Sequence, residues 1–279
     1  MKVWIIGKWG KLSQAMQRKC KENGIDFVAS TRQEVDLENE EAVRAQFETL
    51  TFTHVINCSG YTAVDQAEEE KEKAHALNAE AVALLAKLSK EKGNKLIHFS
   101  TDYVFDGEKE AYGEEDERAP LSEYGRSKEA GERFLMEHYP EALLIRTSWL
   151  FGKEGNDFVK TMIKLMDEKE SLDVVSDQRG RPTYADDLAE AALSILDESG
   201  TYHYANEGET TWHSFAEMIQ KKLEEKKQVR CKKIEPISSE DFGAKAKRPA
   251  SSVLLTEKFS PPHWEVGLEE VLAHALESK

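Results

Sequence analysis

Tyr124 and Lys128 stand four residues apart in Tyr124-Gly-Arg-Ser-Lys128, a spacing that puts both side chains on one face of a helix. An ammonium beside a phenol favours tyrosinate. Lys128 is therefore expected to lower the Tyr124 pKa from its reference of about 10 and make the hydroxyl a usable proton donor near neutral pH. Upstream lies Ser100-Thr101-Asp102-Tyr103-Val104-Phe105-Asp106-Gly107, in which Thr101 offers a second hydroxyl to a reacting oxygen. A Tyr-x-x-x-Lys spacing alone arises often by chance as surface decoration. Joined to a hydroxyl residue at a strand end and to a glycine turn at the amino terminus, it reads as a catalytic group.

That glycine turn is Gly7-Lys-Trp-Gly10-Lys-Leu-Ser13, where backbone amides and a helix amino terminus can approach a pyrophosphate. Taken alone it could equally be a plain tight turn. Ser13 replaces the usual third glycine and still keeps the packing residue small. The second apolar patch ends in Ser30-Thr31-Arg32. Sites for NAD commonly carry a carboxylate at this point for the ribose hydroxyls, whereas arginine suits a 2′-phosphate. Thr31 and Arg32 thus point to NADPH, with NADH as the second option and an exposed turn arginine as the plain alternative. Asp36 and Leu37 would then lie near the adenine.

These residues need elements to hold them. Lys2-Val-Trp-Ile-Ile-Gly7 is a short apolar run ending in glycine, which predicts a buried parallel strand, and Leu12–Cys20 has helical composition. Phe27-Val28-Ala29, His54-Val55-Ile56-Asn57-Cys58, Lys95-Leu96-Ile97-His98-Phe99 and Leu143-Leu-Ile-Arg-Thr147 repeat the strand pattern, and a helical Ala/Leu spacing covers Ala74–Leu88. Alternating strands and helices predict an α/β, doubly wound parallel sheet of Rossmann-like form, with ligands beyond the carboxyl ends of the strands. After Gly152 the texture changes, with helices predicted around Phe158–Met166, Tyr184–Leu196 and Trp212–Glu225. The expected organisation is a dinucleotide-binding domain over 1–152 and a smaller α/β substrate lobe over 153–279, the boundary approximate and the chain free to cross it.

The 279 residues carry 38 basic and 53 acidic side chains, a formal charge of −15, with 39% hydrophobic residues, enough for a sizeable core. The negative field argues against nucleic-acid or anionic-membrane partners and leaves small molecules or proteins. Three cysteines (Cys20, Cys58, Cys231) without zinc spacing suit reduced thiols, and no apolar stretch approaches a membrane helix, so a cytoplasmic protein is expected. The eight histidines show no metal-ligand spacing and read as structural or exposed. The charge runs Glu68–Lys73 and Lys221–Lys227 read as solvated helix faces.

At this point the chain resembles the extended short-chain dehydrogenase/reductase superfamily, and within it the dTDP-4-dehydrorhamnose reductases, which close the synthesis of dTDP-L-rhamnose. The resemblance covers almost the whole chain. It rests on the motifs above and on Asn57-Cys-Ser-Gly-Tyr61-Thr62-Ala-Val-Asp65-Gln-Ala-Glu68, Arg146-Thr-Ser-Trp149, Asp177-Gln-Arg-Gly-Arg-Pro-Thr183 and Arg248-Pro-Ala-Ser-Ser252, in that order. It implies that Tyr124 protonates the sugar C4 oxygen, that Lys128 orients the nicotinamide ribose and tunes Tyr124, and that Thr101 completes the triad. It implies a cofactor site lined by Gly7, Gly10, Lys11, Leu12, Asp36, Leu37, Gly60, Tyr61, Thr62 and Phe99, and a sugar site touching Thr101, Asp102, Tyr103 and Trp149. The segment 177–183 would lie between the lobes, where Arg179 and Arg181 could clamp a diphosphate or simply occupy a surface loop. By resemblance alone a divalent ion such as Mg2+ at a dimer contact is admitted, in a monomer or homodimer.

Other readings stay open. Related dehydratases use an acid after Thr-Asp, and the residue here is Tyr103, which favours a simple reductase. A reductase of another nucleotide-linked 4-keto sugar fits the same motifs. So does a non-catalytic dinucleotide-binding subunit resembling the regulatory subunit of methionine adenosyltransferase, against which the intact Thr101, Tyr124 and Lys128 weigh.

Overall fold

The computed structural model describes residues 1–277. Strands β1 (Lys2–Ile6), β2 (Asp26–Ser30), β3 (His54–Asn57), β4 (Lys95–Thr101) and β5 (Leu143–Thr147) form a parallel sheet, which the strand Gly200–His203 extends beside β5. The order across the sheet is Gly200–His203, β5, β4, β3, β1, β2. Successive residues of a strand face opposite sides, and both sides are covered. Trp4, Ile6, Val55, Leu96 and Leu144 pack on one face against Val43, Phe47, Val82, Leu85 and Leu135. Val3, Ile5, Ile56, Ile97 and Ile145 pack on the other against Leu12, Met16, Leu188 and Ala189. Burial on both faces is why these strands read as continuous apolar runs.

The helical stretch expected over Ala74–Leu88 contains an irregularity: Lys71–His75 and Ala81–Lys92 are α-helical, joined by a π turn over Ala76–Glu80. Asn78 in that turn is fully buried and bonds the backbone of Tyr61 through both ends of its amide, at 2.8 and 3.0 Å.

The second lobe packs the helices Phe158–Glu168, Trp212–Glu224 and Trp264–Glu277 around Phe151, Met166, Phe215, Ile219 and Leu268, beside a short parallel pair, Ser171–Val175 with Lys233–Ile237. The division at 152/153 is not a clean cut. The helix Ala185–Ser194 lays Leu188, Ala189 and Ala192 on the helix Lys11–Glu22 (α1), and Gly200–His203 pairs with β5, so residues 185–203 belong to the first core. The two alanines permit close helix packing, and β5 offers an otherwise unpaired edge. No helix among the described residues is long and apolar enough to cross a membrane.

Candidate active site

The chain passes from β1 outward to β2 and then back to β3, so the switch point lies between β1 and β3. A cleft of about 660 Å³ opens there beyond the strand ends. Gly7 turns the chain with φ +92°, a conformation an L side chain resists, and a Cβ there would sit 3.3 Å from the Ser59 amide nitrogen. The Gly7 and Lys8 amides both donate to Ser30 O at 3.0 Å, which anchors the loop to the end of β2. Gly10 caps α1 without a side chain, leaving first-turn amides open to an anion. Ser13 is fully buried under the helix, as its small size allows.

Gly7, Gly10, Leu12, Thr31, Arg32, Asp36, Leu37, Gly60, Tyr61, Thr62 and Phe99 all line this one cleft. Its glycine walls and uncapped helix end suit a dinucleotide. The Arg32 side chain is 71% exposed and pairs with Glu38 and, at 3.5 Å, Asp36. Lys11 lines the cleft too, but its ammonium is engaged across the lobes with Asp157 at 3.1 Å and with Leu150 O at 3.0 Å.

The helix Glu123–His138 carries Tyr124 and Lys128 into the same cleft. Ser122 caps it, accepting from the Gly125 amide at 3.2 Å. Gly125 lies so close to the turn Asp102–Val104 that a Cβ would fall 2.3 Å from Tyr103 O. This contact sets Tyr124 beside Thr101, the last residue of β4. Thr101 Oγ1 donates to Asp102 Oδ1 at 3.0 Å and accepts from the Tyr103 amide at 3.2 Å.

The expected lowering of the Tyr124 pKa by Lys128 is corrected here. Burial pushes the phenol up to about 12, with the Thr101 hydroxyl pulling it down and Asp102 pushing it further up. The Lys128 ammonium is instead committed to Phe99 O at 2.6 Å. Burial also lowers Lys128 to about 8, against the attraction of Glu132.

On the far side of Thr101, Asp102 is 2% exposed, and its Oδ2 has no hydrogen-bond partner among the described residues. Burial raises this carboxyl to about 7 despite the nearby hydroxyls of Ser252 and Thr101. Trp149 adopts φ +46° and stacks on Trp212 with centroids 3.6 Å apart and planes 8° from parallel. A second cavity of about 270 Å³ shares Thr101, Asp102, Tyr124 and Trp149 with the cleft and adds Tyr103, Phe158 and Trp212. Tyr103 thus lines the neighbouring cavity rather than the main cleft. Arg181 lines neither: its guanidinium reaches Glu209 at 3.4 Å, beside the Arg179–Glu209 pair. Both arginines pair with Glu209 here, and Arg181 Nε is buried without a hydrogen-bond partner among the described residues.

Sequence reasoning passed over Asn78, Asn57, His98 and Trp212. A buried amide amid alanine and leucine was the available signal for Asn78. His98, inside an apolar strand, was the signal for a polar contact beneath the site. Among the described residues no group of three or more His, Cys, Asp or Glu side chains converges as a metal site would require.

The family model described as the RmlD substrate binding domain matches residues 1–277. The spore coat polysaccharide biosynthesis protein SpsK of Bacillus subtilis (strain 168) is 36% identical, with 97% of this chain and 96% of that protein covered. The dTDP-4-dehydrorhamnose reductase of Escherichia coli (strain K12) is likewise 36% identical, with 98% and 97% covered. The crystal structure of dTDP-4-dehydrorhamnose reductase from Bacillus anthracis str. Ames in complex with NADP superposes with a TM-score of 0.92 at 37% identity, covering 98% of each chain. Carrying the sheet, the glycine turn and the Thr101, Tyr124 and Lys128 cluster along the full length matched, the chain belongs to the RmlD substrate binding domain family.

Proposed function

We infer that the chain is an oxidoreductase that reduces the C4 keto group of dTDP-4-dehydro-L-rhamnose to dTDP-L-rhamnose with NADPH. The observation that carries this reading is the convergence of Thr101, Tyr124 and Lys128 on the cleft that the glycine turn opens. NADPH, when bound, supplies the hydride. Tyr124, whose phenol burial favours in its protonated form, gives its proton to the forming alkoxide, a stronger base than phenolate. Thr101 steadies the same oxygen with its hydroxyl. The Lys128 ammonium, anchored on Phe99 O, turns its remaining protons to the cofactor ribose. Asp102 Oδ2, buried and unpartnered, takes a sugar hydroxyl, and Trp149 walls the sugar. Gly10, Lys11 and Leu12 present the first turn of α1 to the pyrophosphate, and Thr31 and Arg32 meet the 2′-phosphate.

A second substrate is favoured by one relative, the probable dTDP-4,6-dihydroxy-2-methyloxan-3-one 4-ketoreductase of Streptomyces antibioticus, 38% identical over 90% of this chain. Its name supports the same reaction on a different dTDP-linked ketone. The regulatory-subunit reading is not favoured, since the complete catalytic group lines the cleft.

Consumption of NADPH with enzymatically generated dTDP-4-keto-6-deoxy sugar, with the product identified by NMR, tests the assignment. Turnover to dTDP-L-rhamnose is expected, and Tyr124→Phe should lose about 10²–10⁴-fold in kcat while retaining NADPH affinity. Near-normal turnover in that variant would remove Tyr124 as the acid.

A further inference from the structure

The hydrogen bonds beneath Lys128 fix the Asn57 amide and, through it, the His98 tautomer. The Ser59 amide, which can only donate, points at Asn57 Oδ1 at 3.1 Å, and the Ser59 hydroxyl donates to the same oxygen at 2.5 Å. The other end of that side chain, Nδ2, lies 3.1 Å from His98 Nδ1. An amide nitrogen donates, so His98 Nδ1 accepts and the neutral ring carries its proton on Nε2. His98 Nε2 is 3.5 Å from Lys128 Nζ. An ammonium has donors and no acceptor, so a charged Lys128 sets donor against donor. The neutral amine offers its lone pair to Nε2–H while keeping a proton on Phe99 O, 2.6 Å away. Asn57 and His98 are 1% exposed and Lys128 is 5% exposed, so bulk water does not screen the mismatch.

We propose that Asn57 and His98 are positioning residues that set the protonation of Lys128: the Asn57 amide locks the His98 tautomer, and the Nε2–H so directed favours the neutral amine. This rests on the reading of Lys128 as part of the catalytic group, and it supplies that group with a titrating charge. The other groups around Lys128 are few. Glu132, one turn on, attracts the ammonium but is held by Arg146 of β5 at 2.8 Å and by Arg118 at 3.1 Å. Thr101 closes β4 and Asp102 opens the turn after it, both lining the same cleft, and Tyr124 shares the helix. Gly60, Ser59 and Asn78 on the opposite wall carry no charge. Burial acts on Lys128 in the same direction as the ring.

Asn57→Asp tests the lock with a defined sign. One carboxylate oxygen keeps the Ser59 bonds while the other accepts from Nδ1–H, which moves the ring proton off Nε2 and turns Nε2 into an acceptor for the ammonium. Three readouts are taken: the His98 tautomer from long-range ¹H–¹⁵N spectra, the Lys128 titration from its ¹³Cε shift in the cofactor-free protein, and the alkaline limb of kcat/KM. In the unsubstituted protein His98 should be the Nε2–H tautomer, with Lys128 titrating below the ordinary lysine range. Asn57→Asp should give Nδ1–H and move both the titration and the alkaline limb up by at least about one pH unit. An Nδ1–H ring or an ordinary Lys128 titration in the unsubstituted protein overturns the proposal even where the variant does not fold. A raised titration with an unchanged tautomer also overturns it, because added charge alone would then be the cause. The two spectroscopic readouts need no turnover, so a protein inactive on the keto sugar would sink the functional reading and leave this one measurable.

Discussion

At Arg32 a cation meets its own counter-ions, Glu38 and Asp36, on an exposed rim. Exposed pairs of this kind are worth little, ~0–1 kcal/mol, so a phosphate can compete for the guanidinium. Arg32→Ala is expected to weaken NADPH by about tenfold and NADH hardly at all, a difference of ~1.4 kcal/mol. Equal losses in calorimetric titrations with the two cofactors would remove Arg32 from the 2′-phosphate site. Asp102 carries the opposite burden, a buried carboxyl raised to about 7. Its unfolded-state pKa is about 3.9. Between these two values the unfolded chain releases a proton that the folded chain retains, so this group makes stability fall as pH rises through about 4 to 7. Asp102→Asn should therefore stabilise the protein at pH 8 relative to pH 5, by an amount on the order of a few kcal/mol at most. Denaturant midpoints of both proteins at the two pH values check this, and an equal offset at both would refute it.

At the scale of elements, the site depends on how closely the Tyr124 helix approaches the turn after β4. Helix propensity favours alanine over glycine by about 1 kcal/mol, yet at Gly125 a methyl would meet a backbone carbonyl at 2.3 Å. The steric effect wins because that carbonyl belongs to a turn fixed by Thr101 and cannot give way cheaply. Gly125→Ala is expected to cost roughly 1–3 kcal/mol in stability and to reduce kcat by moving Tyr124, with NADPH affinity less affected. Urea midpoints and steady-state kinetics test both, and a stabilised, fully active variant would contradict the packing account. The π turn at Asn78 belongs to the same scale. It registers the Tyr61 backbone against the Tyr124 helix, whose Ser127 hydroxyl accepts from Asn78 Nδ2 at 2.9 Å.

For the whole molecule, the lobes interlock rather than hang from a linker. Residues 185–203 return to the first core, Lys11 reaches Asp157, and Arg248 pairs with Asp65 at 2.7 Å. Such crossings predict one cooperative unfolding transition. Trp4 is buried in the first core, and Trp264 in the second. Single-tryptophan variants at these two positions should report coincident urea midpoints, whereas separated midpoints would mean the lobes unfold independently.

Much of this was legible in the chain as written. Apolar runs ending in Gly7, Ser30 and Cys58 specified parallel strands and their ligand-bearing ends, because a strand buried on both faces must be apolar throughout and its turn chemistry follows immediately. The i, i+4 spacing of Tyr124 and Lys128 likewise placed them on one helix face by geometry alone. Three-dimensional packing decided what local pattern could not. The Tyr124 pKa rises instead of falling because burial, with Asp102 beside it, outweighs the Thr101 hydroxyl, while Lys128 Nζ is held on the Phe99 carbonyl, distant in sequence from it. Arg181 turns to Glu209, and residues 185–203 rejoin the first sheet because β5 has a free edge there. Asn57, His98 and Lys128 come from three separate elements, so their hydrogen-bond accounting exists only once β3, β4 and the Tyr124 helix are packed together. Sequence by itself thus determined which elements form and which functional groups each presents. Desolvation and hydrogen-bond partnership depend on neighbours from other segments, and only the tertiary structure decided those.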